Sequence, residues 1–134
     1  MNRFFIGFVL GLATFLNTNA WAQSSKFPDQ PIKFIVPFAP GGGVDQTGRL
    51  LARQLQLRLN VPVVVENRPG ANGTVGSKLV QTASNDGYTL LFSAATHVLT
   101  NLVMAKPPYD PVLDFAPIAR VGEAPLMLVI SPQL

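Results

Sequence analysis

Three consecutive glycines and a carboxylate, Gly41-Gly42-Gly43-Val44-Asp45, follow the apolar run Ile32-Lys33-Phe34-Ile35-Val36 and the prolines Pro37 and Pro40. Glycine carries no Cβ, so such a stretch lets the backbone come close to a ligand. Asp45 suits the N-cap or first turn of a helix. The first N–H groups of that helix, at the positive end of its dipole, favour an anion. The chemistry this arrangement supports is the binding of a small anion by backbone groups. It is not a Walker A loop, because no Gly-Lys-Ser/Thr follows, and it is not a dinucleotide fingerprint, because Gln46 stands where the third glycine belongs. Asp45 itself is expected either to cap the helix or to contact the ligand, directly or through water.

Other reactive side chains are sparse. His97 is the only histidine, and a hydrolytic triad with Ser93 and Asp86 lacks a nucleophile-elbow sequence. With no cysteine and dispersed carboxylates, neither a thiolate site nor a histidine-rich metal site can be built. No catalysis, metal or cofactor is expected. Arg68 is a candidate anion contact, weighed against a structural pair with Glu66, and Gly73 in the same loop is a second candidate.

The elements that must position these groups can be read from period and punctuation. Residues 32–36 are short, β-branched and bounded by Pro31 and Pro37, which predicts a buried strand. A helix is expected from near Asp45, with Leu51, Leu55 and Leu59 recurring every four residues and Leu50 and Ala52 beside them. Residues 61–65 (VPVVV) predict a second strand, 74–83 a second helix, and 88–92 (YTLLF) a third strand. The stretch 66–73 between them is turn chemistry. Strand starts at 32, 61 and 88 suit βαβ units and a parallel sheet. In such sheets ligands bind at the carboxyl ends of the strands. The loops leaving those ends, 38–45, 67–76 and 93–97, are all rich in small residues. A proline-rich link over 106–111 and a final apolar run, 126–130, predicted as a fourth strand, complete the chain.

The chain has 134 residues, and its first 22 have the pattern of a secretory signal peptide. Arg3 gives the positive start, residues 4–16 the apolar stretch, and Ala20-Trp21-Ala22 the small-x-small cleavage pattern, which predicts a mature chain from Gln23 and a periplasmic location. A retained anchor is the alternative. From Gln23 onward nine Lys and Arg face seven Asp and Glu, a formal net charge of +2. The basic residues are scattered, so nucleic-acid binding finds no support.

Several longer motifs go beyond a generic βαβ pattern. Pro31-Ile32 through Asp45 is followed by Arg49-Leu50-Leu51-Ala52. Next come Val63-Val64-Val65-Glu66-Asn67-Arg68-Pro69-Gly70-Ala71 with Gly73, then Asp86-Gly87-Tyr88-Thr89-Leu90-Leu91, then Asp114-Phe115-Ala116-Pro117-Ile118. In order and spacing this resembles the substrate-binding proteins of tripartite tricarboxylate transporters, also called Bordetella uptake gene (Bug) receptors.

The resemblance implies an α/β fold of the type 2 periplasmic-binding-protein kind, with a ligand cleft between two lobes. It implies capture of a small organic carboxylate, such as a dicarboxylate or tricarboxylate, an acidic amino acid or an aromatic acid. The partners it implies are the ligand and the permease subunits of the transporter, with the receptor itself a monomer. A sensor that docks onto a signalling membrane protein is the alternative. By the same resemblance the ligand carboxylate is held by Phe38, Ala39, Pro40, Gly41, Gly42, Gly43 and Asp45 together with Ser93, Ala94, Thr96 and His97. The family often has Gly-Thr-His in the second loop, where this chain has Ala95-Thr96-His97. Residues 23–120 correspond to an incomplete first lobe with its parallel βαβαβ sheet, and 121–134 to a strand crossing into a second lobe. The expectation is accordingly a fragment of a longer protein or a truncated gene product, with a non-functional remnant as a further alternative.

Overall fold

The structure, a computed structural model, describes residues 26–125 and 127–133. The predicted signal peptide lies outside the described residues.

Strand β1 (Ile32–Val36) forms where the sequence places its densest β-branched run. It is the middle strand of a three-stranded sheet of order β2-β1-β3. Both neighbours, β2 (Val63–Asn67) and β3 (Thr89–Leu91), run parallel to it. A central parallel strand is covered on both faces, and Ile32, Phe34, Ile35 and Val36 are accordingly buried while Lys33 is exposed. The register pairs Ile32 with Val63, Val36 with Asn67, and Phe34 with Leu90. All three strands therefore end at one edge of the sheet, and the three predicted loops leave from it.

Helix α1 (Gly43–Leu59) joins β1 to β2. Its residues Ala52, Leu51 and Leu55 pack with Ile32, Phe34 and Val63, and Phe92 joins them, stacked on Phe34 at 6.0 Å between centroids. Leu50, predicted beside this face, is instead exposed. The helix ends at Asn60, in the left-handed region at φ 56°, whose N–H donates to Gln56 O. A 3-10 turn (Ala71–Gly73) leads into helix α2 (Thr74–Gln81), which packs against β1 and β3. Val75, predicted on its buried side, is half-exposed.

The bounds of β2 and two elements differ most from expectation. β2 lies two residues later than predicted, because its ladder carries Glu66 and Asn67 opposite Ile35 and Val36. A short helix α3 (Thr100–Val103) follows the β3 loop without a sequence signal. Residues 127–130, predicted as part of a fourth strand, form none: they have no ladder partner among the described residues, and Met127, Leu128, Val129 and Ile130 stand exposed. A strand needs a neighbour to satisfy its backbone, and apolar sequence alone does not supply one.

Candidate functional site

The glycine loop is tied at both ends. Pro37 is fully buried. Beyond it, the Phe38 carbonyl accepts a hydrogen bond from Asn67 Nδ2 at 3.1 Å. The Gly41 N–H donates to Asp45 Oδ2 at 2.8 Å, and the Gly41 carbonyl accepts from Gln46 Nε2 at 2.8 Å. Gly41 has φ +85°, a conformation natural only to glycine. Gly42 is the N-cap of α1 in an extended conformation. Ala39, Pro40, Gly42 and Gly43 are exposed. Gln46 is the first residue of the helix whose N–H has a backbone acceptor, Gly42 O at 2.9 Å. The N–H groups of Gly42, Gly43, Val44 and Asp45 have none among the described residues, as the first turn of any helix requires.

Asp45 is not the N-cap. It sits in the first turn with its side chain 4% exposed. Oδ2 accepts from the Gly41 N–H and from Arg49 Nε at 3.1 Å, while Oδ1 accepts from Asn67 Nδ2 at 2.8 Å and faces Arg49 Nη2 at 3.0 Å. With both oxygens engaged inside the protein, Asp45 holds the loop. The Arg49 hydrogen bond, then those from Gly41 and Asn67, lower its pKa from 3.8 to about 2. A depressed carboxylate pKa adds stability above the unfolded-state value and loses it as pH falls towards the folded one. Acid titration followed by circular dichroism should therefore show wild type losing stability between pH 3.8 and about 2 relative to Asp45→Asn, whose own stability lacks that component.

The second loop runs on from β3. Ser93 is half-buried and Ala94 exposed, and the Ala94 carbonyl accepts from the His97 N–H. Thr96 Oγ1 is buried and has no hydrogen-bond partner among the described residues. The His97 ring stacks on Tyr109 at 5.2 Å and meets the Phe115 edge at 4.6 Å, with Nδ1 3.3 Å from Ser77 Oγ. Burial pushes the imidazole below its ordinary pKa, so it is neutral at pH 7. No triad assembles around it: Asp86 accepts from the Tyr88 N–H at the opposite end of β3 from Ser93. Ser77 is 1% exposed, out of reach of a substrate.

The remaining candidates make contacts within the fold. Arg68 Nη2 meets Glu66 Oε2 at 3.0 Å, and the Arg68 N–H donates to Val36 O. Gly73 is buried at φ +90°, its N–H donates to Gly70 O, and a Cβ there would touch Pro37. An open groove of about 490 Å³ beside α2, lined by Thr74, Val75, Lys78, Leu79, Thr82 and Pro108, contains none of the predicted residues.

Sequence reasoning misses Asn67, which bridges Phe38, Asp45 and Arg49, and Ser77 and Tyr109, which seat His97. Asn67 stands within the Glu66-Asn67-Arg68-Pro69 motif, where its residue type suits a turn equally well.

Residues 47–134 match the model of the tripartite tricarboxylate transporter family receptor. The chain is 44% identical over 114 residues to protein BugT of Bordetella pertussis, an alignment covering 84% of this chain and 35% of that protein. It superposes on the solved periplasmic binding protein BugD with a TM-score of 0.61 at 39% identity, over 63% of this chain and 28% of that one. With MatC from Rhodopseudomonas palustris, solved with bound malate, the TM-score is 0.59 at 34% identity, over 63% of this chain and 29% of the other. The chain spans about a third of the length of the curated relatives it matches. A family model covering most of the sequence, and solved relatives that superpose on the chain at 34–39% identity, place it in the tripartite tricarboxylate transporter receptor family.

Proposed function

We propose that this chain carries one wall of the binding cleft of a periplasmic solute-binding protein that captures a small organic carboxylate for a membrane transporter and performs no chemistry on it. Residues up to about 120 belong to a first lobe, and those from 121 lead towards a second. One carboxylate oxygen is held by the free N–H groups of Gly42, Gly43 and Val44, where the α1 dipole adds to the attraction. The observation that carries the reading is the exposed glycine loop, where the N–H groups of Gly42, Gly43 and Val44 have no backbone acceptor among the described residues. On the second loop the buried Thr96 Oγ1 has no hydrogen-bond partner among the described residues, which costs about 1–3 kcal/mol. Malate bound in MatC is the kind of ligand that fits such donors.

Thermal-shift measurements with malate, citrate, glutamate and benzoate, and a neutral sugar as control, test it. A carboxylate at about 100 times its Kd raises stability by about 2.7 kcal/mol. Stabilisation by the sugar alone would defeat the reading. Thr96→Val should stabilise the ligand-free protein by about 1 kcal/mol, by deleting the unsatisfied hydroxyl. A destabilised variant would show that the hydroxyl is satisfied in the folded protein.

A further inference from the structure

We propose that Asn67 is a positioning residue for carboxylate capture: its side-chain amide fixes the glycine loop in the shape that presents the N–H groups of Gly42 and Gly43. This deepens, and rests on, the carboxylate-binding reading. Asn67 is the last residue of β2 and lies opposite Val36 in register, where β1 gives way to the loop. Both hydrogens of Nδ2 are used, one on Phe38 O at 3.1 Å and one on Asp45 Oδ1 at 2.8 Å. Oδ1 accepts from Arg49 Nη2 at 2.8 Å. The orientation of the amide is unambiguous, because a carbonyl and an ionised carboxylate only accept and a guanidinium only donates.

The consequence is a continuous polar bridge from the Phe38 carbonyl through Asn67 and Asp45 to the Gly41 N–H. It spans the segment that sequence makes most mobile, since glycines lose more conformational freedom on ordering than any other residue. Ordering the loop before the ligand arrives lowers the entropic cost of binding. Asn67 makes no hydrogen bond to Gly42 or Gly43 among the described residues, so its influence on them runs through Asp45 and Phe38. Arg49 balances the charge: it neutralises Asp45 and, through Asn67 Oδ1, keeps the amide from rotating.

The test is Asn67→Asp, which keeps the shape of the side chain and replaces both donors with an acceptor beside Asp45 and the Phe38 carbonyl. In the purified full chain, calorimetric malate affinity is expected to fall about 10–100-fold near pH 8, as one hydrogen bond to the Asp45 carboxylate and one to the neutral Phe38 carbonyl are lost. It should recover as pH is lowered towards about 5, because two adjacent carboxylates share a proton and that proton restores a donor. Asn67→Ala should lose affinity without the pH recovery, a difference a purely structural role does not produce. In the ligand-free protein the Gly41 amide proton, shifted downfield by its bond to Asp45, should move upfield in both variants. Wild-type affinity in either folded variant at all pH values overturns the proposal. If Asn67→Asp does not fold, Asn67→Ala decides: unchanged affinity or an unmoved Gly41 amide overturns it. If wild type binds malate and none of the other carboxylates, the functional reading falls for those others alone. If it binds no carboxylate at all, that reading and this one fall together, whereas a binding wild type with indifferent variants defeats only the role of Asn67.

Discussion

Replacing Gly76 with valine is expected to destabilise the protein by about 3 kcal/mol, a fall in Tm on the order of 10 °C, in a calorimetric melt of the two proteins. A Cβ at Gly76 would lie 2.9 Å from the Arg68 carbonyl oxygen, 2.9 Å from Pro37 Cβ and 3.0 Å from Pro37 Cα. Two of those three atoms are backbone, and Pro37 is fully buried, so neither side yields cheaply. The valine also adds two methyl groups that must find room against the same surface. Helix propensity offsets little, since valine exceeds glycine by only a few tenths of a kcal/mol. The strain falls where α2 presses on the exit of β1, upstream of the glycine loop. Gly43→Ala is the contrast, because a Cβ there meets nothing within 4 Å and its stability should change by no more than about 0.5 kcal/mol.

The second large effect is on binding with the fold left intact. Gly42 has φ −72° and ψ 166°, which any residue adopts, and the atom nearest to an added Cβ is the Ala39 carbonyl oxygen at 3.6 Å, an ordinary contact. Gly42→Val should therefore fold, at a cost of about 1 kcal/mol for placing valine at the N-cap. Its side chain would stand over the N–H groups proposed to hold the carboxylate. Losing two hydrogen bonds to a charged ligand corresponds to at least about a 100-fold rise in Kd for malate. Gly41→Val separates room from conformation: nothing lies within 4 Å there either, but at φ +85° an L residue is strained by about 1–2 kcal/mol. Equal affinity in wild type and Gly42→Val would place the ligand elsewhere.

The sheet and its two main helices are legible in the sequence because each rests on a local rule. Residues 32–36 are apolar and β-branched between two prolines, and Leu51 and Leu55 repeat at helical spacing beside Ala52. What is illegible depends on contacts between distant segments. β2 lies at Val63–Asn67 because its register follows β1, which periodicity within 61–65 does not encode. Residues 127–130 have the apolar content of a strand and no partner among the described residues. Asp45 falls in the first turn as its sequence position suggests, yet its role turns on Asn67, which lies 22 residues away and bonds to it at 2.8 Å. The loop that carries His97 points to a ligand contact, while Tyr109 and Phe115, which pack its ring, come from the irregular segment beyond α3. A motif matched residue by residue thus marks a neighbourhood, but it does not say which groups face a ligand and which brace those that do.

The central claim is that the glycine loop holds a carboxylate through its backbone N–H groups, with the loop after β3 beside it. Amide chemical-shift mapping of the ¹⁵N-labelled protein titrated with malate tests this most directly. The predicted result is a saturable downfield movement of the Gly42, Gly43 and Val44 amide protons, accompanied by shifts at Thr96 and His97, with the Gly41 amide nearly still because Asp45 already holds it. Perturbations confined to the groove around Lys78 and Leu79, or no saturable shift in either loop, would contradict it.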